Sequence, residues 1–187
     1  MRKDGGGLIF LMTSYNIAQK LHLPFLADLF SKISDKYPVL KLLAPNDLPY
    51  DTKSSFSLYI NHRKTFTGIT DFDRSLTINK FAELVKNIKK LDDDMAIKKF
   101  GKEFRSPGHI PICISSEKLL ESRKGHTELV MAMINMAELI PSASGCEMMG
   151  DNNKALSKNN AIDYAKKHNL VILNGNEIVK AWKKWSE

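Results

Sequence analysis

Apolar residues recur along this chain in two rhythms. Three- and four-residue steps place Ile78, Phe81, Leu84, Val85 and Ile88 on one stripe, which predicts an amphipathic helix opening at Thr77 with that stripe buried. The same spacing puts Leu26, Leu29, Phe30 and Ile33 on one face of a helix over residues 25–33, a face expected to pack into the core. Ser14 can cap a helix over residues 15–21, which Pro24 then separates from the next one. Further helices are predicted from near His126 to Glu138, over residues 158–168 and over residues 177–185. Shorter apolar or alternating runs predict strands over residues 8–12, 55–60, 110–114, 142–146 and 170–173. Pro107-Gly108 forms a turn that breaks helix, so His109 should sit where the strand 110–114 begins. Pro38, Pro45 and Pro49 punctuate a polar connection through Asn46 to Asp51, expected to be an ordered surface loop. Strands and helices alternate without strict regularity. The expected fold class is therefore α+β: one layered domain over residues 1–187, a mixed sheet with helices packed on it.

With 43% hydrophobic residues, a chain of this length can bury one core and not two. No apolar run is long enough to cross a bilayer, and the Met1-Arg2-Lys3-Asp4 start lacks a signal-peptide core, so no membrane partner and a cytoplasmic location are expected. The two cysteines, Cys113 and Cys146, have no pairing or metal-ligand spacing and read as reduced thiols. Lys and Arg outnumber Asp and Glu by 28 to 21, for a formal charge of +7. The lysines are scattered among acids rather than gathered into an aromatic-studded stripe, so a phosphorylated metabolite is the expected partner ahead of nucleic acid.

Polar chemistry concentrates in three stretches. Arg123, Lys124 and Gly125 immediately precede the helix expected at His126, and a helix start offers unpaired N–H groups and partial positive charge to a phosphate. His126 adds a nitrogen able to bind metal, although such a histidine can equally be a cap or a surface residue. Glu147 ends a strand that leads back to the same edge, where a carboxylate acts as base or pairs with a lysine. Upstream, Thr67-Gly68-Ile69-Thr70-Asp71 offers hydroxyls and a capping Asp, which suits a helix cap or a contact with sugar hydroxyls. His62 reads as a polar strand-end residue. The run Asp92-Asp93-Asp94 reads as dipole stabilisation of the helix that follows, not as a metal site.

Five of these stretches resemble, in order, the motifs of the 3,4-dihydroxy-2-butanone 4-phosphate synthase family, most closely its archaeal single-function form. They are Thr67 to Arg74, Phe104-Arg105-Ser106-Pro107-Gly108-His109, Arg123-Lys124-Gly125-His126-Thr127-Glu128, Cys146-Glu147-Met148-Met149-Gly150-Asp151 and Tyr164 to Leu170. The resemblance implies a lyase that converts ribulose 5-phosphate to the four-carbon phosphate and formate on the path to riboflavin, using Mg2+ or Mn2+, and a homodimer. It further implies His109 and Glu147 as catalytic residues, His126 as metal ligand, and Arg123, Lys124, Gly125, His126, Thr127 and Glu147 as substrate contacts. Thr67 and Asp71 fall near the substrate phosphate.

The family's first strands and helices, with an acidic loop that takes part in metal and substrate binding, have no counterpart in this sequence, and Phe10 stands where many members carry cysteine. The expectation that follows is a half-built metal site, apolar surface exposed over residues 8–12 and weak activity. A phosphosugar-binding relic is the alternative.

Overall fold

A computed structural model describes residues 1–44 and 53–187 of the chain. The connection expected over Asn46 to Asp51 lies outside the described residues. The strands β1 (Gly6–Thr13), β2 (Phe56–His62), β3 (Phe104–Ile114) and β4 (Ser142–Met148) form a mixed sheet in the order β2-β3-β1-β4. β1 runs parallel to β3, with Leu11 opposite Ile112, and antiparallel to β4, with Met12 opposite Ala143. The helices are α1 (Tyr15–Lys20), α2 (Leu26–Ile33), α3 (Val39–Leu42), α4 (Asp71–Asn87), α5 (Asp93–Glu103), α6 (His126–Met136), α7 (Lys158–Lys167) and α8 (Gly175–Ser186).

Strand alternation sorts the side chains onto two faces. Ile9, Leu11, Ile60, Ile110, Ile112 and Ile114 meet Phe81, Leu84 and Val85 of α4, Ala18 of α1 and Ala96 of α5 in the larger core. The expected stripe of α4 is thus buried, but the helix begins at Asp71 rather than at Thr77. Thr77 is buried mid-helix, and its hydroxyl accepts the His62 N–H and donates to the Asp73 carbonyl. On the opposite face Phe10, Met12, Phe56, Cys113 and Ala143 meet Val130, Met131 and Ile134 of α6. α8 then packs on the outside of α6 through Ile178 and Trp182, while Trp185 stays half exposed.

Several local expectations fail for identifiable reasons. Residues 8–12 are not an exposed apolar strand: β1 lies inside the sheet with helices on both faces, so Ile9, Leu11 and Met12 are buried and only Leu8 is exposed. α2 buries no residue; Phe30 faces a cleft shared with Leu40 and Leu43 instead of the core, and Ile33 is exposed. Residues 170–173 form no strand, because β4 is not extended by a further partner among the described residues, and Val171 is 87% exposed. His62 does behave as a strand-end residue. It is buried edge-on against Phe104 at 5.4 Å, and burial lowers its imidazole below the ordinary 6.5.

His109 does not begin β3 but lies inside it. Ile60 pairs with Ile110 and Asn61 with Arg105, so β2 advances one residue while β3 throws residues 106–109 out of the ladder. This excursion presses its backbone onto β2. A Cβ at Gly108 would stand 2.0 Å from the Ile60 carbonyl carbon and 2.4 Å from the Asn61 nitrogen, a space open only to glycine.

Gly108→Ala should therefore lower stability by about 1–3 kcal/mol through overpacking, read as a lower urea midpoint at unchanged slope. The matched control is Gly101→Ala in α5, where an added Cβ meets nothing within 4 Å and helix propensity should raise the midpoint. Equal midpoints for wild type and Gly108→Ala would contradict the close approach. Thiol chemistry checks the second core. Burial pushes the Cys113 thiol up to about 11, while Cys146 is half exposed, so iodoacetamide near neutral pH should modify Cys146 in the folded protein and Cys113 only after unfolding. Rapid native-state modification of Cys113, read by mass spectrometry, would contradict the packing of β3 against α6.

Candidate active site on the face covered by α6

The excursion in β3 sets His109 on the surface beside the end of β2. Asn61, only 2% exposed, holds it twice: its Oδ1 accepts the His109 N–H at 2.9 Å, and its Nδ2 lies 3.0 Å from the His109 Nδ1. The same Nδ2 reaches the Thr67 carbonyl at 3.5 Å, and a Cβ at Gly68 would stand 2.0 Å from it. Gly68 has φ +91°, a conformation glycine adopts without cost. Arg105 ties down the same loop by donating to the Thr65 and Phe66 carbonyls, and the buried Asp73 accepts the Gly68 N–H at 2.8 Å. Two stretches that are distant in sequence, 65–73 and 105–109, thus close on one amide.

The second cluster surrounds the start of α6. Gly125 is its N-cap and supplies no side-chain cap, so the first turn directs backbone N–H groups outward. His126 and Lys124 are exposed and Thr127 is buried. Glu128 is fully buried; its Oε1 accepts the Ser116 N–H at 2.9 Å and a longer contact from the Arg123 Nη1 at 3.4 Å. Its Oε2 folds back toward Gly125, where a Cβ would come within 2.9 Å of it and 3.2 Å of the Arg123 Cζ. Glycine at this position lets Glu128 and Arg123 meet.

Glu147 completes the set from β4. A bulge between Gly6 and Ile9 in the pairing of β1 with β4 brings Gly7 alongside Glu147, and a Cβ on Gly7 would stand 2.8 Å from the Glu147 Oε2. Alternation carries Glu147 to the face of Phe10, Met12 and Cys113, while His109, in the excursion, is placed by Asn61 at the end of β2. Arg123, Glu147 and Glu128 all act electrostatically on the Cys113 thiol from around it. β1 lies between β3, which carries His109, and β4, which carries Glu147. A small molecule held by its anionic end at the start of α6 has the Glu147 carboxylate on the same face of the sheet.

Asp71 lies elsewhere. It is the first residue of α4, and Thr70, not Asp71, is the N-cap, accepting the Asp73 N–H at 3.2 Å. Hydrogen bonds from Arg2 and then Arg74 hold the Asp71 carboxyl below its ordinary range, in a cleft lined also by Ile9, Ile78 and Ser144 on the α4 side of the sheet. Among the described residues no three His, Cys, Asp or Glu side chains gather where one ion could bind. His126 offers a single nitrogen, and a magnesium-like ion takes mainly oxygen, so these residues do not by themselves build a metal shell.

Asn61 and Glu128 are candidate site residues missing from the sequence-based set. The signal for Glu128 is its place three residues after the N-cap and before an apolar run, where a carboxylate turns back to the helix start. For Asn61 it is a polar residue closing an otherwise regular alternation in β2.

The family model of 3,4-dihydroxy-2-butanone 4-phosphate synthase matches residues 1–181. The synthase of Methanothermobacter thermautotrophicus is 42% identical over 183 residues, which cover 97% of this chain and 77% of that protein. That of Archaeoglobus fulgidus is 43% identical over 192 residues, covering all of this chain and 78% of the relative. Among solved structures, the Candida albicans synthase superposes with a TM-score of 0.68 at 24% identity, over 96% of this chain and 74% of that one. A synthase in complex with two magnesium ions superposes with a TM-score of 0.64 at 18% identity, over 98% and 77%. Both structural likenesses concern the fold. The order of motifs, the match along nearly the whole sequence and the two archaeal identities agree: this chain belongs to the 3,4-dihydroxy-2-butanone 4-phosphate synthase family.

Proposed function

We propose that the chain is a lyase that converts D-ribulose 5-phosphate to L-3,4-dihydroxy-2-butanone 4-phosphate and formate, the step that supplies the four-carbon unit of riboflavin. The reaction splits a five-carbon phosphate into four carbons and one, and it balances without an added oxidant or reductant. The observation that supports the reading is that Arg123, at the start of α6, and the Glu147 carboxylate both act on the buried Cys113 from the same face of the sheet.

Each residue has a task set by its position. Arg123 and the amides of the first turn, from Gly125 to Thr127, hold the phosphate, and Lys124 adds positive charge at the rim. Holding that end fixes where the ketone and its neighbouring carbons lie. Glu147 removes the proton next to the ketone, and His109 serves an oxygen of the substrate. Thr67 stands beside His109 as a further contact; Asp71 stays engaged with Arg2 and Arg74. Magnesium or manganese is the proposed ion; His126 would be its one protein ligand here, oxygens from substrate and water would have to fill the rest of its shell, and the ion would supply positive charge.

A homodimer is proposed as well. Phe66 and Phe72, 92% and 78% exposed, flank the loop held by Asn61 and give an apolar surface for a second copy. The thiols, free in the structure, suit the cytoplasm, and neither nucleic acid nor membrane enters the reading. Among the described residues no helix is long and apolar enough to cross a membrane.

Incubation with ribulose 5-phosphate and magnesium should release formate; binding without release would favour the phosphosugar-binding relic instead. Glu147→Gln keeps the shape of the side chain without its basicity, so it should bind substrate and lose turnover. Normal turnover by this variant would rule out Glu147 as the base. Arg123→Ala should weaken ribulose 5-phosphate binding by about 1.5–3 kcal/mol, the worth of a charge-assisted contact, in calorimetry on protein whose circular dichroism is unchanged. An unaltered dissociation constant would remove Arg123 from the site.

A further inference from the structure

We infer that Asn61 is a positioning residue that fixes the tautomer of His109, with the proton on Nε2, so that His109 enters the reaction as a hydrogen-bond donor and Glu147 alone takes the substrate proton. The inference rests on the proposed roles of His109 and Glu147 and divides the proton work between them.

The backbone makes the amide assignment unambiguous. The His109 main-chain N–H can only donate, and it points at Asn61 at 2.9 Å, so the amide oxygen must face it. The amide NH2 is then the group 3.0 Å from the His109 Nδ1. An amide nitrogen cannot accept a hydrogen bond, so Nδ1 accepts and carries no proton. Neutral imidazole then bears its proton on Nε2, the nitrogen pointing away from Asn61. Protonating Nδ1 as well would set two donors against each other.

The surroundings keep the amide in this orientation. Asn61 is buried, the second hydrogen of its NH2 points to the Thr67 carbonyl at 3.5 Å, and Gly68 and Gly108 press on it and on its own backbone from two sides. Rotating the amide would turn its oxygen toward the Thr67 carbonyl and leave the His109 N–H without an acceptor. A ketone or enediolate oxygen near His109 therefore meets an N–H and not a lone pair. The base is then Glu147, on β4.

The test uses the full chain labelled with 15N in histidine. Long-range 1H–15N correlation at about pH 8, above the ordinary imidazole range, should show the His109 signal with a pyridine-like Nδ1 and a pyrrole-like Nε2. His109→Gln identifies the signal among the five histidines by its loss. A pyrrole-like Nδ1, or exchange averaging of the two nitrogens, would overturn the inference. Asn61→Asp keeps the acceptor for the His109 N–H but faces Nδ1 with carboxylate oxygen, so the pattern should reverse. With that reversal kcat should fall at least about tenfold while KM for ribulose 5-phosphate stays within about twofold. The substitution should have no added effect in a His109→Gln background. A reversed tautomer with unchanged kcat would overturn the division of proton work. Should Asn61→Asp not fold, the wild-type spectrum still decides the tautomer. Full activity of His109→Gln would count against the proposed role of His109 and leave the tautomer standing.

Discussion

β2 and β3 share a ladder in which one strand carries four residues more than the other between two successive pairs, and the placement of the reactive groups follows from that mismatch. Surplus residues cannot remain in register, so they leave the ladder, and their backbone polar groups need new partners. Asn61 supplies them. A side chain at the end of β2 accepts the N–H that the excursion exposes at His109, and glycine at 108 lets the extra turn lie flat on the Ile60 peptide. The loop from Thr65 to Asp73 closes over the same amide. What looks in sequence like a Pro-Gly turn before a strand is a ladder defect stabilised by one buried amide.

The other end of the site depends on a buried charge. A fully buried carboxylate is costly unless it is paired, and Glu128 is paired through its Oε1 alone, with the Ser116 N–H and Arg123, its Oε2 having no hydrogen-bond partner among the described residues. The guanidinium is thereby set against the first turn of α6, with side-chain exposure of 21%, instead of moving freely on the surface. Orientation is the gain, because a guanidinium is a rigid planar fork of N–H donors. The two ends are then linked by the sheet. Cys113, buried between them on β3, feels Arg123 and Glu147 together.

Much of the helical scaffold could be read from apolar spacing. The stripe from Phe81 to Ile88, the Ser14 cap and the start of α6 at His126 follow from local rules that packing reinforces. Spacing could not say where α4 begins, because Thr70 caps it and the polar first turn, Asp71 to Arg74, carries no stripe. Nor could it show that residues 170–173 lack a strand partner or that α2 faces a cleft, since both depend on what the rest of the chain leaves uncovered. The site divides in the same way. His109, Arg123 and Glu147 carry recognisable chemistry and sit in motifs. Asn61 acts through a bulge register and Glu128 through burial, and neither property exists until the strands have paired.

Ribulose 5-phosphate is proposed to lie on the face covered by α6, phosphate toward Gly125 and carbons beside Glu147, with His109 at the end of β2. Backbone amide shifts on titrating the folded chain with ribulose 5-phosphate test it most directly. Residues 125–128, Leu8 to Phe10, His109 and Glu147 should be perturbed, with the cleft around Arg2, Asp71 and Arg74 on the opposite face unchanged. Perturbation confined to that cleft, with the first turn of α6 silent, would contradict it.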